Sequence, residues 1–222
     1  AVITSYFFRG TDVLFSFELL DAWRVKDIVF YVLLGLATGI ASVYFSKMYF
    51  LITQFFSRFS NAYIKIGIAA IAIGFMLYLF PPLYGEGYGL INNLLNGKTE
   101  AALSGIQYQI DFNNIWMVIV ILLIIAVFKA IAMTTTFAAG GVGGIFIPTL
   151  FMGSALGNAV AKVINQFGFV VSEANFTLLG MTGLMAGVLH APLTAIFLIA
   201  EITGGYDLFV PLMLVATISF GF

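Results

Sequence analysis

Long apolar stretches alternate with short polar connections along this chain of 222 residues. Residues 28–56 and 115–137 are almost entirely apolar, and each run exceeds the about 20 helical residues that cross the hydrocarbon core of a bilayer. Further apolar runs lie at 66–80, 146–167 and 175–189. The pattern predicts an all-α integral membrane protein with several spans, and the excess length of the first run predicts a tilted helix.

Two apolar segments are too short to cross a bilayer. As helices with a rise of ~1.5 Å per residue, residues 90–95 and 193–202 reach at most about half of the hydrocarbon core. Half-length helices are tolerated at membrane depth only where protein or a water-filled path surrounds them, and transporters build their sites in this way. We therefore expect a multi-span helical bundle with tilted and broken half-length helices.

The composition agrees with a membrane protein and argues against several kinds of site. Hydrophobic residues make up 62% of the chain and charged residues 9%, which is more apolar sequence than a soluble domain of this length can bury. The net charge of −1 gives no indication of nucleic-acid binding. The sequence has no cysteine and one histidine, and no Ser/His, Asp/Asp or metal-ligand pair stands at helical spacing. We therefore expect no enzymatic activity, no metal site and no cofactor.

A glycine-rich turn at residues 140–144 precedes an apolar, helix-competent run. Four of these five residues are glycine, and Pro148 follows where the first turn of a helix accepts a proline. The first N–H groups of a helix lack internal partners and carry the positive end of the helix dipole, and glycines leave room for a ligand to approach them. Within a membrane this arrangement indicates an anion site, and the alternative is a tight interhelical loop.

These residues resemble a known family. The segment GGIFIPTLFMG at 143–153 is similar to the GGxFxPxLxxG signature of the CLC family of chloride channels and proton–chloride antiporters. Lys129 stands fourteen residues before that segment, where the family commonly carries a basic residue. The segments HAPLTA at 190–195 and EIT at 201–203 resemble the family's (R/H)APLT…E(M/I)T segment, and GEGY at 85–88 resembles a glycine-rich loop upstream.

The resemblance implies one half of an inverted-repeat, CLC-type fold. A CLC subunit consists of two halves of opposite topology. This chain corresponds to the tail of the first half (residues 1–20) and to the second inverted half (residues 21–222), truncated before its last helix. We therefore expect the remaining N-terminal half of the same protein to be the partner of this chain in the lipid bilayer.

The resemblance also implies a function. This function is chloride transport across a membrane, as part of a voltage-gated chloride channel or a proton–chloride antiporter, with chloride as the transported ligand. In the family the anion lies between opposed helix N-termini, and the amides at the positions of Ile145 and Phe146 are among its ligands. The implied location is the cell membrane, as a multi-pass protein. The candidate anion-binding residues are Gly143, Gly144, Ile145, Phe146, Ile147 and Pro148.

Two charged residues in apolar surroundings each allow two interpretations. Lys129 is either a cation that raises the anion concentration at a vestibule or a lysine that extends to the membrane interface from near a helix end. Glu201 is either a proton relay or a carboxylate at the end of a short helix, and we favour the second interpretation.

We expect a homodimer that is formed in part by residues 193–222. The helix at 193–202 cannot span a bilayer on its own, so a second protein surface would cover its ends. CLC subunits pair through the equivalent helices, and the resemblance therefore implies the same interface. The side chains predicted to face outwards are Ile196, Phe197, Leu198, Ile199, Leu208, Leu212 and Leu214.

Two other classes of membrane protein stay open. A different broken-helix secondary transporter would carry more Asn, Ser or Asp within its spans than this chain does. A non-conducting assembly module would use glycines at i, i+4 spacing as helix-packing faces, but it does not explain the glycine cluster before Phe146. The glycine pairs with this spacing are Gly35/Gly39, Gly153/Gly157 and Gly183/Gly187.

Overall fold

A computed structural model describes residues 23–107, 110–202 and 206–222 of the chain. The predicted tail of a first half at residues 1–20 lies outside the described residues. Within them the chain forms α-helices and short 3-10 turns, with no strand. The helices are α1 (Ile28–Ser57), α2 (Ala62–Leu79), α3 (Tyr88–Leu95), α4 (Thr99–Ala102), α5 (Ile115–Ala138), α6 (Phe146–Gln166), α7 (Glu173–Leu189), α8 (Pro192–Ile202) and α9 (Phe209–Phe220).

The helices confirm the predicted multi-span membrane bundle. Among the described residues, four helices (α1, α2, α5 and α6) are long and apolar enough to cross a membrane. Helix α3 has 8 residues, α8 has 11 and α9 has 12, so the expected half-length elements are present. The protein is therefore an integral, multi-pass membrane protein.

Helix boundaries differ from the prediction where a side chain caps a helix start. Helix α2 begins four residues before the predicted residue 66, because the side chain of Asn61 accepts a hydrogen bond from the N–H of Tyr63 at 2.9 Å. Helix α7 begins two residues before the predicted residue 175, because Ser172 caps the N–H of Asn175 at 3.4 Å. In both places the polar residue starts the helix before the apolar run.

Helices α6 and α7 pack antiparallel with their backbones in direct contact. A Cβ atom on Gly157 would overlap the carbonyl oxygen of Phe176, and one on Gly153 would lie 2.5 Å from the carbonyl oxygen of Gly180. Next to this contact the buried amide of Asn158 donates to the hydroxyl oxygen of Thr177. Glycine is therefore required here for close approach, as is common between membrane helices.

The other predicted glycine pairs also serve contacts within the chain. Helix α1 packs through its glycine pair against α9, and α7 packs through its own pair against α1 and α9. A Cβ atom at any of the four glycines would lie within 3 Å of a side-chain atom of a neighbouring helix or of the chain end that follows α9. The contacts are Gly35 with Ile218, Gly39 with Phe222, Gly183 with Thr38 and Val215, and Gly187 with Ser42 and Ser219.

The predicted outward face of α8 and α9 is partly wrong. Ile196 is 3% exposed and Ile199 is fully buried, because residues three apart share one face of a helix and this face packs inside the bundle. Leu208 and Leu212 are also buried. Phe197, in contrast, does face outwards. The other large exposed side chains of α8 and α9 include Leu193, Val210 and Met213.

We expect Gly157→Ala to destabilise the protein by about 1–3 kcal/mol, because the added methyl group would force two helix backbones apart. The matched control is Gly67→Ala in α2, where an added Cβ meets nothing within 4 Å. The control should leave stability unchanged or raise it by up to ~1 kcal/mol, since alanine favours helix. Thermal unfolding of both variants in detergent measures the difference. Equal melting temperatures for the two variants would contradict the close-contact account.

Candidate functional site

The glycine turn begins with a Schellman motif that ends α5. Gly140 has a φ of +96°, a conformation that favours glycine, and its N–H donates to the carbonyl of Phe137 at 3.0 Å. The N–H of Gly141 donates to the carbonyl of Thr136 at 2.9 Å. These two bonds satisfy the last carbonyls of α5 and redirect the chain towards α6.

Helix α6 begins with backbone N–H groups that have no hydrogen-bond partner among the described residues. Its first helical hydrogen bond runs from the N–H of Thr149 to the carbonyl of Ile145 at 3.2 Å. Within the described residues, the N–H groups of Ile145, Phe146 and Ile147 form no hydrogen bond, and no side chain caps the helix. Pro148 lies in the first turn, as predicted, and has no N–H to satisfy. The positive end of the helix dipole is therefore open to a ligand.

A cavity of about 350 Å³ connects this turn with the interior of the bundle. Gly143, Gly144 and Pro148 line it on one side, and Leu83 and Lys129 line it on the other. The lining residues of α5 run from Lys129 to Phe137, so the cavity extends along α5 by ~12 Å. The glycine turn and the first turn of α6 therefore border a cavity rather than a packed interhelical contact.

Lys129 is the cation of this cavity, and backbone carbonyls hold it. Its side chain is 5% exposed, and Nζ donates to the carbonyls of Leu83 at 3.1 Å and Gly85 at 2.8 Å. Nζ also lies 4.5 Å from the ring centroid of Phe151. Glu86 is close enough to act on Lys129 electrostatically, but it forms no ion pair with it. The ammonium group is therefore bound inside the described structure rather than on its surface.

The GEGY segment forms the predicted loop, between a 3-10 turn at Pro81–Leu83 and helix α3. Gly85 and Gly87 adopt φ values of +64° and +86°, so the loop depends on glycine at both positions. A Cβ atom on Gly87 would overlap the ring of Phe151, so the loop packs directly against the second turn of α6.

The structure brings only part of the predicted site together around the cavity, since Ile145, Phe146 and Ile147 are not among its lining residues. The six candidate residues from Gly143 to Pro148 are contiguous, and three of them line the same cavity as Lys129. The loop carbonyls and Phe151 were missed. The position of Lys129 within a long apolar helix could have indicated that carbonyl partners exist elsewhere in the chain, because a buried lysine needs hydrogen-bond acceptors.

Two of the threonines near the end of α5 bond to their own helix. Thr134 donates to the carbonyl of Ala130 at 2.7 Å, and Thr136 donates to that of Ala132 at 2.9 Å. Their hydroxyl hydrogens are therefore used locally.

A larger cavity, of about 560 Å³, lies away from the glycine turn, beside the start of α5. Lys98, Phe112 and Lys162 are among its lining residues. Lys162 forms an ion pair with Glu173 at 2.6 Å, so its charge is not available to bind an anion in this cavity. In the described part of the chain, no group of three or more His, Cys, Asp and Glu residues is placed to hold a metal ion.

Comparisons with known proteins agree on one family. The model of the voltage-gated chloride channel family matches residues 1–222. The putative chloride channel protein ClcB-like of Ralstonia nicotianae is 26% identical over 208 residues, which is 89% of this chain and 42% of the relative. The H(+)/Cl(-) exchange transporter ClcA of Vibrio cholerae is 27% identical over 224 residues, which is 96% of this chain and 44% of the relative.

Solved structures show the same fold. A slow cyanobacterial Cl−/H+ antiporter superimposes with a TM-score of 0.76 at 23% identity, covering 99% of this chain and 48% of the other. A CLC-type fluoride/proton antiporter superimposes with a TM-score of 0.72 at 19% identity, covering 99% of this chain and 49% of the other. The chain thus spans less than half the length of these structures and of the two relatives above.

We expect Gly140→Ala to destabilise the protein by about 1 kcal/mol or more, because alanine is strained at a positive φ. The matched control is Gly144→Ala in the same turn, where an added Cβ meets nothing within 4 Å and no positive φ is required. Thermal unfolding in detergent measures both variants. A loss for Gly144→Ala as large as that for Gly140→Ala would contradict the role of the Schellman motif.

Proposed function

The chain belongs to the voltage-gated chloride channel (CLC) family, and we propose that it forms one half of the anion pathway of a CLC-type chloride channel or proton–chloride antiporter. One observation carries the proposal: the first N–H groups of α6 have no hydrogen-bond partner within the described residues, and they lie next to a cavity that the buried Lys129 also lines. An anion is the ligand that satisfies both.

The proposed anion ligands are the backbone amides at the start of α6. Ile145, Phe146 and Ile147 supply N–H groups, Gly143 and Gly144 leave room for the anion, and Pro148 fixes the first helical turn. In addition, the charge of Lys129 raises the local anion concentration in the cavity. We name chloride as the transported anion, because the two relatives described above are a chloride channel protein and a H(+)/Cl(-) exchange transporter.

The packing of the glycine pairs favours transport over a non-conducting assembly module. All three predicted pairs pack against helices or chain segments of this same chain. The contacts of these three pairs are therefore explained by the internal packing of the described bundle, without a separate assembly partner.

We propose that this chain is part of a longer protein with two halves of opposite topology. The tail of the first half is residues 1–20, and the second inverted half is residues 21–222. The coverage supports this, since 99% of this chain aligns with less than half of each antiporter structure. The remaining N-terminal half would bring the helix N-termini that oppose α6, so transport is a property of the full-length protein.

We also propose that the full-length protein is a homodimer through residues 193–222. Leu193 is 66% exposed, Phe197 50%, Val210 52% and Met213 45%, so the short helices α8 and α9 present bulky apolar side chains outwards. A second copy of the same surface would cover these short helices, which cannot each span a bilayer.

We expect bromide to bind within hydrogen-bond reach of the amides of Ile145 and Phe146 in the full-length protein. Anomalous diffraction from bromide-soaked crystals locates the ion. Replacing the Phe146 amide by an ester removes one N–H donor and should weaken bromide binding about ten-fold, since a hydrogen bond to a charged group contributes roughly 1.5–3 kcal/mol. The control ester is at Val142, which is fully exposed in the same turn. Anomalous density elsewhere in the pathway, with none at α6, would overturn the site.

We expect Leu193→Trp together with Val210→Trp to convert the dimer into a folded monomer, because the larger rings disturb a shape-matched interface. The matched control is Ile71→Trp on α2, which is 77% exposed. Light scattering in detergent measures the mass. A dimer that persists in the double variant, with crosslinks on another surface, would refute this interface.

A further inference from the structure

Lys129 is a buried cation whose charge is compensated by a loop. Among the described residues no carboxylate forms an ion pair with it, and its two hydrogen-bond acceptors lie 44 and 46 residues earlier in the chain. A buried ammonium group needs such acceptors, because desolvation without them costs several kcal/mol. The lysine and the loop therefore depend on each other at membrane depth.

The loop depends on Lys129 because it has little structure of its own. The last 3-10 hydrogen bond runs from the N–H of Tyr84 to the carbonyl of Pro81 at 3.0 Å, and two positive-φ glycines follow before α3 begins. Lys129 binds a carbonyl at the end of the turn and another within the glycine segment. It thus ties both parts of the loop to α5.

Phe151 transmits this position to α6. Its fully buried ring lies beside Nζ of Lys129 and also meets the backbone of Gly87. The ring belongs to α6 and lies five residues after the helix start at Phe146. Loop, lysine and helix start are therefore one packed unit, and the cavity lies between the loop and the glycine turn.

We propose that Lys129 is a positioning residue that holds the 83–87 loop at a fixed distance from the start of α6 and thereby sets the width of the anion cavity. This proposal rests on the proposed function, because the anion site is what is being positioned. A positioning role and a purely electrostatic role of Lys129 predict different results. If Lys129 positions the loop, loss of its hydrogen bonds moves the loop; if only its charge matters, the loop stays in place.

The distance between loop and turn tests the proposal directly. The chain contains no cysteine, so spin labels at Tyr84→Cys and Val142→Cys are unique within it once any cysteines elsewhere in the full-length protein are replaced. Both positions are exposed; Tyr84 lines the cavity, and Val142 directly precedes the lining residue Gly143. We expect Lys129→Met to broaden the distance distribution about two-fold by local opening, and Lys129→Arg, which keeps charge and donors, to restore most of it.

A second pair of variants leaves the lysine unchanged. Gly87→Ala places a methyl group against Phe151, whereas Gly89→Ala, at the start of α3, meets nothing within 4 Å. We expect Gly87→Ala to broaden the distribution and to lower anion flux in liposomes on the order of ten-fold, because a displacement of about 1 Å disturbs a binding geometry. Gly89→Ala should change neither. If Lys129→Met does not fold, this pair still tests the part of the proposal in which the position of the loop sets the anion cavity, and equal distributions and fluxes for the two variants would overturn it.

An unchanged distance distribution in Lys129→Met with reduced anion flux would overturn the proposal in favour of charge alone. An unchanged distribution together with unchanged flux would also overturn it. The labels report position whether or not the protein transports anions. A failure of the proposed function, seen as no bromide at α6, is therefore distinguishable from a failure of Lys129 as a positioning residue.

Discussion

Polar groups at membrane depth must find their partners within the protein, since lipid offers none. The described structure meets most of this requirement by local and by long-range means, although Asn158 Oδ1 and Ser219 Oγ are buried without a hydrogen-bond partner among the described residues. Thr38, Thr134 and Thr182 donate to carbonyls of their own helices. The buried amide of Asn158 reaches Thr177 across the α6–α7 contact. Lys129, the most demanding case, uses carbonyls of a loop more than 40 residues away.

The first backbone N–H groups of α6 lack such partners among the described residues, and this is the feature that indicates a ligand site. A helix terminus without partners is costly in an apolar environment unless a ligand or water satisfies it. Here the unpaired amides lie next to a cavity that Gly143, Gly144 and Pro148 line, and Lys129, which lines the same cavity, has no carboxylate ion pair within the described residues. A bound anion would stabilise both the unpaired amides and the buried ammonium group, which is why we propose the anion site at this place.

Close glycine contacts hold the scaffold that makes this arrangement possible. Between membrane helices the hydrophobic effect contributes little, so van der Waals packing at short range must replace it. Gly153, Gly157 and Gly180 allow α6 and α7 to meet backbone to backbone. Helix α6 is thereby anchored along its length by α7 while its first turn stays open towards the cavity.

Local features of the sequence determined the helices and the glycine turn. Tertiary contacts decided which side chains are buried and which loop binds Lys129. The apolar runs, the glycine cluster and Pro148 were sufficient to predict the spans, the half-length helices and the open start of α6, because each depends on neighbours within a few residues. The burial of Ile196 and Leu212 could not be predicted from their apolar character, since lipid and protein interior accept the same side chains. The partners of Lys129 depend on where the 83–87 loop folds back, and only the packing of distant helices decides that.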